Sequence, residues 1–118
     1  MTPQEATQNL WQAVADSDVS AAQVALAAGA EVNARNQWQQ TPLHLAADTG
    51  HTDLARLLIE KGAEVNAKDD EQQMPLHWAA NNGYTEIVKL LEDAARHQGG
   101  YAGRVAKGRG NDEPQIGG

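Results

Sequence analysis

A fixed offset constrains this chain more than any other feature. TPLHLAADTGHTDLARLLIEKGAEVNAKD begins at Thr41, and MPLHWAANNGYTEIVKLLEDAA begins 33 residues later at Met74. A second landmark keeps the same step, since Gly29-Ala30 precedes EVNARN and Gly62-Ala63 precedes EVNAKD. Counting back once more, LWQAVADSDVSAAQVALAAGAEVNA from Leu10 to Ala34 reads as an earlier copy without the TPLH segment. A unit this short cannot shield its own apolar face, so copies must stack and share one core.

Each piece of the unit has a local reason. Pro42 and Pro75 fit the first turn of a helix, where the missing N–H costs nothing and φ is already helical. Thr41 stands before Pro42 as an N-cap. Gly50 and Gly83 suit the left-handed residue that ends a helix, which makes the first helix of each unit short. Beyond them Leu54, Leu57, Leu58 and Ile59, and then Ile87, Val88, Leu90 and Leu91, recur at helical spacing and give each second helix an apolar stripe. Gly62 closes the helix, and polar stretches, RNQWQQ and KDDEQQ, lead to the next copy.

These motifs resemble the ankyrin repeat over roughly residues 5 to 95. The resemblance implies an all-α repeat solenoid, an ankyrin-type stack of about three helix-turn-helix units with short hairpin loops. The units span about 5–35, 36–68 and 69–97, with the first and last acting as caps. At the position of Leu26 and Ile59 the third copy carries Glu92, and it lacks the Gly-Ala landmark, so it reads as terminal. Trp11 and Trp78 lie among apolar residues and are expected in the core. Two departures stand out. Gln39 and Gln72 occupy the hairpin-tip places where the family commonly has glycine, and Met74 replaces the capping threonine.

No catalytic set emerges. The chain has no cysteine, so disulfides, thiolate catalysis and sulfur-ligated zinc are excluded. His44 and His77 sit in the PLH motif, where the resemblance implies a structural role, hydrogen-bonding neighbouring hairpin loops together. His51 and Asp53 have no nucleophile or oxyanion donor around them. Asp69, Asp70 and Glu71 lack the glycine and final glutamate of a calcium loop and are read as a solvated hairpin. The expectation is a non-enzyme with no metal and no cofactor.

Charge narrows the partners. Residues 1–95 hold five basic and fourteen acidic side chains, whereas residues 96–118 hold four basic and two acidic ones. The acidic body repels nucleic acid. The end, HQGGYAGRVAKGRGNDEPQIGG, carries seven of the eleven glycines and is expected to form a flexible basic tail over 98–118. An alternative reading makes that tail the working part of a nucleic-acid accessory protein. No membrane-length apolar run exists, and MTPQEATQNLW has neither a basic nor an apolar leader region, so a cytoplasmic monomer is expected.

The main expectation is a protein-protein interaction module that holds a partner protein or peptide, with some basic character, on its concave face and hairpin tips. The resemblance carries the contact positions onto Arg35, Gln37, Trp38, Gln40, Asp48 and Thr49 around one hairpin, and onto Lys68, Asp70, Glu71, Gln73, Asn81 and Asn82 around the next. Trp38 lies in a polar segment where no core needs it, which marks it as a binding anchor.

Overall fold

The computed structural model describes residues 2–98. Among these residues the chain forms helices and no strand: α1 (Pro3–Ala15), α2 (Val19–Ala27), α3 (Pro42–Thr49), α4 (Thr52–Glu60), α5 (Pro75–Asn81) and α6 (Thr85–Gln98). They pair as α1–α2, α3–α4 and α5–α6. The first helices stack as one layer, α1 on α3 on α5, and the second helices as another, α2 on α4 on α6. This is the repeat stack that the 33-residue offset demands.

The helix starts follow the residues at their ends. Thr2 caps α1 through a reciprocal pair, its hydroxyl accepting from the Glu5 N–H (3.1 Å) while Glu5 Oε1 accepts from the Thr2 N–H (2.9 Å). Asp18 caps α2 by accepting from the Ala21 N–H at 3.0 Å. Thr41 caps α3 by accepting from the His44 N–H at 3.4 Å, and the imidazole returns the contact by accepting from the Thr41 N–H at 3.0 Å. Met74 keeps only the return half of that arrangement, its N–H donating to His77 Nδ1 at 2.8 Å.

Leu10, Val14, Leu43, Leu54, Leu58, Ile87 and Leu91 form the spine of the core. Alanines at 13, 22, 25, 46, 47, 55 and 79 fill the crossings between them, so the stack closes without a single Phe. The turn inside the second unit shows how tightly units meet. Gly50 ends α3 at φ +80°, and a Cβ there would lie 2.7 Å from Cζ of Tyr84 in the third unit. Ser17 takes the equivalent turn of the first unit at φ +57°, and its hydroxyl meets His51 Nδ1 of the second unit at 2.9 Å.

Two expectations about the helices need correction. The first helix is short in the second and third units but not in the first: α1 runs 13 residues. Pro3 corresponds to Asn36, so α1 passes through positions that fold into a hairpin further along, because Thr2 starts the helix early and nothing interrupts it. Trp11 is only half-buried and lies outside the central core, lining an open groove with Pro3, Gln4, Thr7, Gln8 and Gly29. Trp78 does pack against the core. Glu92 is exposed, and α6 continues for 14 residues because no glycine stops it where Gly62 stops α4. The basic tail expected from residue 98 falls almost wholly outside the described residues.

Candidate binding face

The hairpin tips are built by one device used twice. Asn36 Oδ1 accepts from the N–H groups of Trp38 and Gln40, both at 2.9 Å. One period later Asp69 Oδ1 accepts from Glu71 (2.8 Å) and Gln73 (2.9 Å). The main chain closes each loop, with Gln39 N–H donating to the Asn36 carbonyl and Gln72 N–H to the Asp69 carbonyl, both at 3.0 Å. The two glutamines adopt φ of +62° and +63°. The glycine conformation therefore survives without glycine, held in place by the carboxamide or carboxylate that grips the loop from inside.

Asp69 is thus not part of a solvated acidic run. It is 4% exposed, and its second oxygen accepts from Trp78 Nε1 at 3.3 Å. Burial pushes its carboxyl pKa up, but the Gln73 and Glu71 amides, the Trp78 indole and the nearby His44 together outweigh that and hold it below the ordinary value. The sequence signal was the register: Asp69 stands where Asn36 stands, and both are loop-gripping residue types.

The two tips are then tied together. The Asp70 N–H donates to the Trp38 carbonyl at 3.0 Å. Arg35 Nη1 donates to the Gln39 carbonyl at 2.9 Å and reaches across to the Lys68 carbonyl at 2.6 Å. His44 Nδ1 accepts from Thr41, so its proton sits on Nε2, which donates to the Gln73 carbonyl at 2.8 Å. Desolvation is the main cause that lowers the His44 pKa; the Gln73 carbonyl and Asp69 pull the other way without prevailing. Asn33 adds a further tie at the other loop, donating to the Gly62 carbonyl (3.1 Å) and accepting from the Glu64 N–H (2.8 Å).

A profile of ankyrin repeats in three copies matches residues 10–98. The chain belongs to the ankyrin-repeat family. No curated protein matches the chain. The ankyrin histidine of the second unit performs the loop-tying role implied by its motif, whereas His77, at the same place in the third unit, is exposed and forms no cross-unit bond among the described residues.

The twelve positions expected to face a partner separate into two kinds in this ankyrin stack. Gln37, Trp38, Lys68, Asp70, Glu71 and Asn81 have exposed side chains that no hydrogen bond among the described residues engages. The others contribute to the frame. Arg35 is committed to two carbonyls. Gln40 accepts from Asn36 Nδ2 at 2.9 Å. Thr49 donates to the Leu45 carbonyl at 3.0 Å. Gln73 is half-buried and receives His44. Asn82 Nδ2 donates to the Asp48 carbonyl (3.3 Å) and carboxylate (3.1 Å), holding α5 against α3.

Trp38 is 53% exposed, one of two large hydrophobic side chains so displayed among the described residues. The other is Val24 at 63%, on α2, in a shallow groove lined also by Gln12, Asp16 and Ala21. Val24 stands where Leu57 stands one unit later, and its apolar character disguised its exposure. No group of three or more potential metal ligands occurs among the described residues. No described helix is long and apolar enough to cross a membrane.

Proposed function

We propose that the chain is a non-enzymatic binding module that engages a partner protein or extended peptide of basic character through its hairpin tips and the adjoining ends of α3 and α5. Ankyrin repeats are generally protein-protein interaction modules, and the family membership supports the class of activity. One observation carries the finer reading: an exposed Trp38 on a rigid, hydrogen-bonded tip whose carbonyl is bonded to Asp70, with Glu71 beside it. An indole supplies apolar area and a face that attracts cations. The ion pairs among the described residues join Arg56 to Asp53 and Arg96 to Asp93, so Asp70 and Glu71 keep their charge available for a lysine or arginine of the partner. The reading places the protein in the cytoplasm as a monomer, with a contact area at or below about 800 Å² per partner and modest affinity.

A partner recovered from the native host with the whole chain provides the test. Trp38→Ala should weaken its binding by about tenfold or more. The double variant Asp70→Lys, Glu71→Lys should weaken it further at low salt than at high salt. Undiminished binding by both variants would remove the proposed surface.

A further inference from the structure

Asn82 is the one asparagine in the chain that is followed by glycine. That pair is chemically fragile, because a glycine amide meets little steric resistance when it approaches the preceding carboxamide carbon. The surroundings here are open, since a Cβ on Gly83 would meet nothing within 4 Å. Asn82 is itself exposed and lies at the C-terminal end of α5, a helix of only 7 residues. Such an end opens more readily than the core.

The same side chain is also a joint. Its Nδ2 donates to the Trp78 carbonyl at 3.0 Å as well as to both Asp48 oxygens described above. Every acceptor around it is an oxygen, and one of them carries a negative charge. A donor is therefore required at this place, and an acceptor would be repelled.

We propose that Asn82 is a deamidation site of the folded protein, and that its conversion releases α5 from α3. In the first step the Gly83 nitrogen attacks Cγ of Asn82, forming an N–C bond. The Cγ–Nδ2 bond breaks, and ammonia departs with the proton lost from Gly83. Solvent water then opens the cyclic imide at either carbonyl, leaving an aspartate or an isoaspartate. The net change is water in and ammonia out.

The fold slows this reaction without preventing it. Asn82 sits at ψ −3°, and the Gly83 N–H is committed to the Ala80 carbonyl at 3.1 Å, so ring closure waits for the last turn of α5 to open. Once it has happened, reclosing fails. The new carboxylate faces the Asp48 carboxylate and two carbonyls with no proton to offer, and the isoaspartate form adds a backbone atom just before the left-handed Gly83. The conversion also adds a negative charge beside the ends of α3 and α5, although the inference does not rest on what they bind.

The experiment ages the full chain at mildly alkaline pH, folded and in urea, and maps the mass gain by peptide mass spectrometry. Conversion should localise to Asn82, proceed severalfold more slowly in the folded chain, and vanish in Asn82→Gln. Hydrogen exchange should be faster across α5 and α6 in the converted fraction, and Asn82→Asp should reproduce that change. A folded chain that keeps its amide while the urea sample converts overturns the site. Conversion that leaves the exchange of α5 and α6 at the parent level overturns the joint.

Discussion

The second and third units spell nearly the same first helix, yet they do different physical work. Leu43 is fully buried and its counterpart Leu76 only partly; Ala47 is fully buried and Ala80 exposed; His44 is 1% exposed and His77 open to solvent. Sequence distance does not explain this, since PLH is identical in both. The difference is a neighbour. The second unit has α5 and a hairpin stacked on its C-terminal side, and no described element covers the third in that way. A motif residue in a repeat stack acquires its energetic role from the unit that follows it.

The largest test of that comparison is truncation in the core. Leu43→Ala should cost about 2–5 kcal/mol, enough to threaten so short a stack. Leu76→Ala should cost less than half as much in the same urea titration. Equal losses would mean that the third unit has cover where the structure shows none.

Removing the imidazoles comes next. His44→Ala orphans the Thr41 N–H inside the stack, leaves the Gln73 carbonyl with the Asp69 N–H alone, and should cost about 2 kcal/mol. His77→Ala leaves a single exposed cap unmade and should stay under about 1 kcal/mol by the same measurement.

Acid should separate the units more gently. His44 is held below its ordinary value of 6.5, so the unfolded chain binds the proton first, and stability falls as pH drops from about that value. Asp69, held below 3.8, adds a second loss at lower pH, since the carboxylate that grips the tip must then be protonated. Melting temperatures across this range should decline in the parent and decline less between neutral pH and the first window in His44→Ala. A parent profile that is flat there would contradict the buried neutral ring.

The smallest effect is a control. Gln39 and Gln72 share one backbone conformation although only the tip of Gln39 has another hairpin tied to it on its C-terminal side. Glycine at either place relieves the left-handed strain while making the unfolded chain freer, for a net gain of about 0.5 kcal/mol. Similar gains at both would show that tip geometry is local, set by Asn36 and Asp69. A gain at one alone would tie it to the neighbour.

The stack was legible because a period, a proline, a glycine and an apolar stripe are local signals that repeat. The layers follow from them, and the His44 tie follows from the family resemblance that they carry. The long α1 escaped because its start signal, the Thr2-Pro3-Gln4-Glu5 capping box, is not one of the landmarks that repeat every 33 residues, and Trp11 escaped because its apolar companions lie along one helix rather than around it. In the candidate site, exposure of Trp38 could be read from its polar setting. The commitment of Arg35 and the burial of Asp69 could not, since both depend on carbonyls and amides, which every sequence possesses and none displays. Only aligning Asp69 with Asn36 hints at the grip.

Those grips have an evolutionary consequence. Asn33, Arg35 and His44 clasp the carbonyls of Gly62, Lys68 and Gln73, groups present whatever residue occupies the place. Side chains at 68, 70 and 71 can therefore be exchanged wholesale without renegotiating how one layer seats on the next. Selection for a new ligand can proceed at the rim while the masonry underneath stays unaware of it.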